Sequence, residues 1–554
     1  MTIYNGQASM LRGDTSRTGS LTGISKMANG LKASRLGIMA ASENRVNSET
    51  EGYARRDVTL YSNEVRCVLA DLCRISNNYA QNDLRAMNSS VEYYKTVSES
   101  FSLLEQYITT KNSDQLADDP NAAIDASDIG GALKTLRLAL DTLSNNKDNV
   151  VNKRSVRDAF QTLIDVTKRT YSMVEQTERK LTQSLPTQVE RINNLLEEIN
   201  TLSLEISAAS AGGRAVFSLE DARDKKLEEL SNYIPIEVEH LTEEVNGCQM
   251  QICRVSLKAN ETQIADPAGN HALTAEERKL IDGRGRVDVA RFAIEQDQNN
   301  NDVLTFYHAG TRDAAGVVAN CAIVGDSDNG VALGLIAQAA NQRGYDFQNY
   351  LQTAFKDGGS LAATLNALKK LNNGAGVPAD NRIHNVTEFK DILNRFAQAL
   401  AEEFNQANGG NGHELFNAIN IGNVDNAVNL LSLHNNFQID PNTLRTLRVD
   451  TLFRVLDTEQ PALTGIDDTR RTFQSYYDAF VVNLGKDINQ MDARLEAAQQ
   501  RLEVAKDKVE EESGVNAEED AIDIQTFRAI YQFVQNALQV RFQLLDLSAN
   551  LLKY

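Results

Sequence analysis

The C-terminal stretch 513–552 reads SGVNAEEDAIDIQTFRAIYQFVQNALQVRFQLLDLSANLL and has no Gly or Pro after residue 514. Two apolar stripes run along this stretch, and the residues of each recur in steps of three and four. This is the period of a helix with a wide apolar face. The first stripe consists of Ile524, Phe527, Tyr531, Val534, Leu538, Leu545 and Leu552, interrupted only by Arg541 and Ser548. The second stripe consists of Ile530, Phe533, Ala537, Val540, Leu544, Leu547 and Leu551.

This predicted helix needs a partner. Full burial of the first stripe contributes roughly 10–20 kcal/mol, at about 1.5–3 kcal/mol for each side chain. Packing on its own domain and packing on another subunit both satisfy that requirement, and the sequence pattern leaves both open.

Composition excludes several classes of function. The chain has 554 residues, a formal net charge of -20 and a pI of about 4.9. It is long enough for several domains, and it lacks the basic surplus with which proteins bind nucleic acid or anionic membranes. We find no apolar run of membrane-spanning length and no signal peptide, so export would use a route that leaves the N-terminus intact.

The sequence also lacks the signatures of a catalytic, metal or cofactor site. The 5 Cys form no C-x-x-C pair, which favours reduced thiols over a disulfide framework or zinc site. The 6 His lie far apart, and no P-loop, G-x-S-x-G or G-x-G-x-x-G stands at a strand–helix junction. We therefore expect no enzyme activity, no cofactor and no metal.

The N-terminal part begins with a predicted flexible leader, 1–22, rich in Ser, Thr, Gly and Arg. Helical spacing follows through Ile24, Met27, Leu31, Ser34, Ile38 and Ala41. Asn47 and Gly52 predict the end of this helix and a turn, and residues 53–60 predict an extended segment.

The end of this helix carries a family signature. It fits the pattern Ala-Ser-x-Asn-x-x-Asn-x-x-x-x-Gly-Tyr-x-Arg, through Ala41, Ser42, Asn44, Asn47, Gly52, Tyr53 and Arg55. This pattern resembles the N-terminal signature of bacterial flagellar rod, hook and hook-associated proteins. Glu43 and Glu49 depart from it where the family prefers Asn, and Arg45 departs where the family usually has Ile.

Long helices are predicted at about 90–108, 129–143, 155–185 and 473–510, with a kink or break at Pro186 and a heptad seam beyond it. The block LEDARDKKLEELS at 219–231 is similar to the L-x-D-x-R-D-x-L element of hook–filament junction proteins, with Lys226 as a departure. As a helix it should bury Leu227 and Leu230 and leave its acid–base pairs solvated. The Phe404-Asn405 block with Leu415-Phe416 resembles a second element of the same proteins.

The predicted fold is mainly α with an inserted β-rich domain. Twofold alternation predicts strands in about 235–340, whereas 328–371 has helical character and 343–392 gives no clear pattern. The predicted units are a terminal coiled-coil domain with coaxial helices (23–60 and 513–554), a long-helix rod domain (61–234 and 394–512), and an inserted outer domain (235–393). A small mixed insertion is predicted at 417–465.

The combination of motifs is similar to the hook-associated protein 1 family, which implies an exported structural subunit at the hook–filament junction. The implied partners are copies of the chain in an annular or helical oligomer, the hook protein, the second junction protein (hook-associated protein 3) and an export chaperone on the C-terminal helix; neither nucleic acid nor membrane is implied. The predicted assembly interface comprises Leu31, Ile38, Asn44, Asn47, Gly52, Tyr53, Arg55, Phe527, Tyr531, Val534, Leu538, Leu545 and Leu552.

Two alternatives remain open at this point. One is a secreted binding protein or adhesin, in which the inserted domain binds and the helices serve as a stalk. The other is a hook or rod subunit, since Gly52, Tyr53 and Arg55 alone would also fit those proteins.

Overall fold

The computed structural model describes residues 17–551, except 51, 64–66, 109–127, 213, 246–247, 259–277, 284–288, 297–301, 308–330, 333–357, 369–383, 411, 420–425 and 464–468. The described part is mainly helical, with three small antiparallel sheets. The predicted leader, except for the helical residues 17–22, and Leu552 lie outside the described residues.

The two ends of the chain meet as a helix pair. Helix α1 (Arg17–Val46) packs on the C-terminal helix, α12 (Ala517–Leu551), and the two run antiparallel because Gly23 lies by Arg541 whereas Gly37 lies by Phe527. A hairpin of β1 (Arg56–Asn63) and β2 (Cys67–Arg74) also packs on α1. The predicted turn is confirmed, since α1 ends at Val46 and Gly52 has a left-handed φ of 80°.

Long helices form the body next to this pair. They are α2 (Asn78–Ile108), α3 (Ile129–Asn145), α4 (Val150–Ala211), α5 (Phe217–Tyr233) and α11 (Phe473–Ser513). Helix α11 packs along α2, and α4 packs on both α3 and α5. Leu484, Ile488 and Met491 lie on the buried side of α11.

A kink or a break was expected at Pro186; the break is wrong, and the kink stays a prediction. Helix α4 continues through this residue for 62 residues in all. Pro186 lies on the exposed face, while Leu185 and Val189 on either side of it are buried. The continuous buried seam outweighs the one backbone hydrogen bond that proline cannot donate.

The strands between α5 and the next helix form two sheets. In the first, β3 (Ile236–Val245), β4 (Cys248–Leu257) and β5 (Lys279–Ile281) pair in that order, and α4 packs on it. In the second, β6 (Arg291–Gln296), β7 (Asp302–Tyr307) and β8 (Val331–Ala332) pair in that order. Strands thus occur where alternation predicted them, while their separation as an outer domain stays a prediction. Most of 328–371 lies outside the described residues.

The remaining helices close the core. Helix α6 (Gly359–Leu368) packs on α2, and α7 (Val386–Asn408) packs on α4. The segment 417–465 contains α8 (Ala427–Leu430), α9 (Asn435–Ile439), two 3-10 turns (Pro441–Thr443 and Thr446–Arg448) and α10 (Val449–Asp457). Phe160 of α4 meets Phe404 and Phe416 edge to face, with ring centroids 5.0 and 5.3 Å apart. These aromatic contacts join both halves of the chain in one core.

Candidate assembly site

The first stripe of α12 faces α1. Phe527 and Val534 approach the backbone of α1 at Gly37 and Gly30. A Cβ on Gly37 would lie 2.6 Å from the Phe527 ring, so only glycine admits the ring at this position. The predicted stripe members Phe527, Tyr531, Val534, Leu538 and Leu545 are all half-buried in the single chain.

The α1 side of this contact is formed by glycines. Leu31 and Ile38, which the sequence assigns to the assembly interface, are half-buried, and their role between subunits stays a prediction. The residues that meet α12 include Gly23, Gly30 and Gly37, at steps of seven along α1. A search for apolar residues misses a seam of this kind, and the signal that would have found it is the heptad spacing of the glycines.

Four residues of the second stripe of α12 are open to solvent, whereas its Ile530 and Ala537 are half-buried. Phe533 is 75% exposed, Val540 55%, Leu544 61% and Leu547 60%. Large apolar side chains that recur on one face at this exposure differ from the scattered apolar residues of an ordinary surface. The stripe is therefore the candidate contact surface of the terminal helix pair.

A third face of α12 is polar but uncharged. It carries Gln525, Gln532, Asn536, Gln539 and Gln543, all exposed. From Ala529 to Leu545 the single charged residue is Arg541, whose guanidinium lies over Gly23. The helix thus presents one face to α1, one apolar face to solvent and one amide-rich face to solvent.

Asn44 is the hub at the other end of the pair, and it is almost fully buried. Its side-chain Nδ2 donates to Asp520 Oδ1 at 3.0 Å and to the Arg56 carbonyl at 2.9 Å. Its Oδ1 accepts from the Tyr53 hydroxyl and from the Arg56 backbone N–H, both at 2.9 Å. One amide therefore uses its donors and its acceptor to tie α1, the turn and α12 together.

The residues after the turn link this hub to the long helices. The Arg55 backbone N–H donates to the Ser513 carbonyl at 2.8 Å, where α11 ends. The Arg56 guanidinium pairs with Glu43 and lies 3.8 Å from Asp221 of α5. It also lies against the rings of Tyr53 and Phe217, at 5.1 and 5.5 Å from their centroids.

Helix α5 contributes two aspartates to this place. Asp221 accepts from Arg74 Nε at 2.8 Å, and Asp224 accepts from Arg74 Nη2 at 2.7 Å. Asp224 also lies 3.6 Å from Arg85 of α2 and 3.8 Å from Arg223. We call the contact region built by Asn44, Tyr53, Arg56, Asp221 and Asp224 the joint.

The joint corrects one expectation and confirms another. Leu227 and Leu230 are fully buried, as predicted for the 219–231 helix. The acid–base pairs were expected to be solvated, and for Arg223 and Asp224 this is wrong, since both are buried. They lie on the face of α5 that packs on α2, where Arg85 supplies a buried charge that the local sequence does not reveal.

Burial and charge shift the pKa values of groups in and near the joint. Burial raises the pKa of Tyr53 to about 12, so its hydroxyl stays a donor to Asn44. Burial alone would raise the pKa of Asp224, but the guanidinium groups of Arg74 and Arg85 outweigh it and hold this pKa below its ordinary value. Burial, with the charge of Arg223, lowers the pKa of His240 on β3 to about 4.

The predicted interface residues thus fall into three groups, the first of which is the half-buried pair Leu31 and Ile38. Asn44, Asn47, Gly52, Tyr53 and Arg55 lie at or next to the joint, where their contacts are within the chain. The predicted residues of α12 lie on the face of that helix that packs on α1, except Leu552, which lies outside the described residues. Their role between subunits stays a prediction.

Within the described ranges, no group of His, Cys, Asp and Glu side chains is arranged to hold a metal ion. Among the described helices, none combines the length and apolarity needed to cross a membrane.

Comparisons with known proteins agree with the sequence motifs. Residues 118–305 match the family model of the flagellar hook-associated protein FlgK helical domain. Flagellar hook-associated protein 1 of Bacillus subtilis (strain 168) is 22% identical over 244 residues, which cover 40% of this chain and 45% of that protein. The match thus spans less than half of the relative's length. The resemblance that the motifs indicated is confirmed.

A solved structure is also similar to this chain. It is the flagellar hook junction protein FlgK from Burkholderia pseudomallei, with 16% sequence identity and a TM-score of 0.37. The similarity covers 61% of this chain and 46% of that one.

Proposed function

We propose that the chain belongs to the flagellar hook-associated protein 1 family and that it is a structural subunit of the junction between the hook and the filament of the bacterial flagellum. It acts as a building block rather than as an enzyme. It is exported, and it assembles through its terminal helices.

The observation that carries this proposal is the second stripe of α12. Helix α1 covers the first stripe, so Phe533, Val540, Leu544 and Leu547 have no cover within the described part of the single chain. Their burial between subunits would contribute up to roughly 6–12 kcal/mol, at about 1.5–3 kcal/mol each. Part of that free energy offsets the loss of translational and rotational freedom on association.

The occupant that we propose for this stripe is a second copy of the chain. A chain with a net charge of -20 repels its copies, so a contact needs a segment without carboxylates. Residues 529–545 contain none, and Arg541 is directed to α1. A contact between the stripe and a different surface of the next copy is heterologous, and such contacts generate rings or helical tubes.

The other parts of the chain lie in layers outside this contact. The terminal pair forms the inner layer, the long helices form the next shell, and the strands lie outside. The hook protein lies on one side of the resulting annulus and the second junction protein on the other. Before assembly, an export chaperone bound to α12 would keep the apolar stripe from aggregating.

The test is electron microscopy of cells that lack this gene and carry a variant copy. We expect Phe533→Glu combined with Val540→Glu to leave hooks without filaments and to release flagellin into the medium. Gln532→Glu combined with Gln539→Glu is the matched control, because it adds the same charge to the same helix at the same spacing but on the polar face. The control should restore filaments.

Three results would count against the proposal. Filaments of normal length with the Phe533 and Val540 variant would exclude the second stripe as the contact. Filaments of normal length in cells without the gene would exclude the junction role. Cells without hooks would indicate a rod or hook subunit instead. Circular dichroism of both purified variants should show unchanged helicity, since all four positions are exposed.

A further inference from the structure

Four contacts between α1 and α12 follow one register. Each step of seven residues along α1 is matched by a step of seven in the opposite direction along α12. The pairs are Gly23 with Arg541, Gly30 with Val534, Gly37 with Phe527, and Asn44 with Asp520. Three of them combine a glycine with a larger side chain, and the fourth is a buried hydrogen bond between polar groups.

Repeats of this kind leave the register ambiguous. A shift of α12 by one heptad away from the joint would place Phe527 over Gly30 and Val534 over Gly23, so the same side chains find a glycine in a second register. Such a shift moves the helix by about 10 Å along its axis, at 1.5 Å per residue. The connection 514–516 and unwound residues 517–519, which precede Asp520, provide enough chain to span it.

The Asn44–Asp520 pair favours the observed register over the shifted ones. A shift toward the joint would place Phe527 against Asn44, whose buried amide would lose Asp520. A shift away from the joint would place the Asp520 carboxylate against Gly37, without a donor. A buried polar group without a partner costs about 1–3 kcal/mol, and more if it is charged. A single polar position in an apolar seam is known to specify register in this way.

We propose that Asn44 and Asp520 are positioning residues that select the register of the terminal helix pair and thereby set the height of the second stripe above the joint. This rests on the proposed function, because the height of the stripe matters only if another subunit meets it. The glycine seam holds the helices together, whereas the Asn44–Asp520 hydrogen bond decides where along each other they lie.

The test measures the register in the isolated full-length chain, so that it does not depend on assembly. Spin labels on non-natural amino acids replace Arg35 and Gln543, which are both exposed and lie on different helices. Their axial offset makes the label-to-label distance sensitive to a shift. We expect one narrow distance in the otherwise unchanged chain, and a second population displaced by about 10 Å when Asn44→Leu and Asp520→Leu are combined.

Controls separate register from general loosening. The exchanged pair, Asn44→Asp with Asp520→Asn, restores a hydrogen bond between the two positions and should restore the single distance. Gly30→Ala changes the seam without touching the polar pair and should also keep it, because the added Cβ would lie 3.8 Å from Val534. Asp520→Leu alone leaves the bonds of Asn44 to Tyr53 and Arg56 intact, and it should still produce the displaced population.

A single unshifted distance in both leucine variants would overturn the register inference and leave the proposed function standing. A shifted register together with normal filaments would show that stripe height does not govern assembly. That result would overturn the second half of the inference. Loss of filaments in the Phe533 and Val540 variant tests the proposed function independently of either result.

Discussion

Arg74 at the end of β2 and Asp221 of α5 lie 147 positions apart in the chain and form a 2.8 Å charge-assisted hydrogen bond. Through its second nitrogen, the same guanidinium binds Asp224 at 2.7 Å. One arginine thus connects the hairpin beside the terminal helices to two carboxylates of the long-helix body. The joint is held by a guanidinium that bridges two carboxylates through charge-assisted hydrogen bonds, and not by apolar packing alone.

The two aspartates of the joint should differ in their effect on stability. The Asp224 side chain is 4% exposed and faces three arginines, whereas that of Asp221 is 14% exposed and faces two. We expect Asp224→Asn to lower the free energy of unfolding by about 3–5 kcal/mol, because it leaves buried guanidinium charge without a counter-ion. Asp221→Asn keeps an oxygen that accepts from Arg74 and should cost about 1–2 kcal/mol.

Urea denaturation of both variants, followed by circular dichroism, measures this difference. Equal losses would show that burial and the number of arginines do not govern the strength of the pairing. The pKa of Asp224 lies below its ordinary value, so its contribution is present above the unfolded value of about 3.8 and is lost as the pH falls below it. The order of the two variants should therefore hold at neutral pH.

Two glycines of α1 should respond to alanine in opposite directions. At Gly37 the new Cβ would lie 2.6 Å from the Phe527 ring, and overpacking of this kind costs about 1–3 kcal/mol. At Gly30 the nearest atom is 3.8 Å away, so the better helix propensity of alanine should stabilise the helix by about 0.5–1 kcal/mol. Hydrogen exchange of α1 amides reports the local opening free energy in each case.

The ring contact at Gly37 can be checked by a second change. Phe527→Ala alone should destabilise the pair, since it removes the ring from the seam. If steric overlap is the cause, adding Phe527→Ala to Gly37→Ala should cost less than the sum of the two single changes. Additive costs would contradict the contact.

Some of these features could be predicted from the sequence because their signals are local. The period of the first stripe, the left-handed position at Gly52 and the buried Leu227 and Leu230 depend on neighbours within a few turns of chain. The glycine seam of α1 became apparent only with its register on α12, since glycine carries no apolar signal.

The joint shows a second reason why some features could not be predicted from the sequence. Arg223 and Asp224 have the spacing of a solvated helix surface, and only the packing of α2 on α5 makes that surface an interior. Arg85, which supplies the charge that compensates Asp224, precedes it by more than a hundred residues. Charge compensation over that distance leaves no pattern in a single sequence. Helix propensity likewise predicted a break at Pro186, where tertiary packing prevailed.

Acidification should destabilise the chain through His240. This residue lies on β3 near Arg223, Asp224 and Arg85, and burial lowers its pKa from 6.5 to about 4. As the pH falls below 6.5, the unfolded chain takes up the proton first, so the free energy of unfolding decreases until about pH 4. A shift of this size corresponds to about 3 kcal/mol.

The contribution of His240 is isolated by comparison with His240→Gln, which cannot titrate. The difference in unfolding free energy between the two proteins should be constant above pH 6.5 and change by about 3 kcal/mol between pH 6.5 and 4. Carboxylates titrate in the same range, but they do so in both proteins and cancel. A difference that does not depend on pH would mean that His240 is solvated in the folded chain.

Substitution of Pro186 tests whether α4 requires the missing backbone hydrogen bond at this residue. Proline has no N–H to donate to the carbonyl of Thr182, and its ring crowds that carbonyl. Because the residue lies on the exposed face of a continuous helix, Pro186→Ala adds a hydrogen bond without disturbing the core. We expect the free energy of unfolding to rise by about 1–3 kcal/mol. Thr187→Ala, at the next exposed position, is the control and should change it by less than about 0.5 kcal/mol.

Hydrogen exchange around residues 182–190 localises the effect. Slower exchange there in the Pro186→Ala chain, with no change at α11, would show that the missing bond is a local weakness that the buried seam overcomes. Destabilisation would mean instead that α2 and α6, which pack on α4, require the geometry that proline imposes. Shorter filaments in cells with the stabilised chain would show that the missing hydrogen bond in α4 has a role in assembly. The substitution would then have improved bonding within one subunit and impaired the fit between subunits.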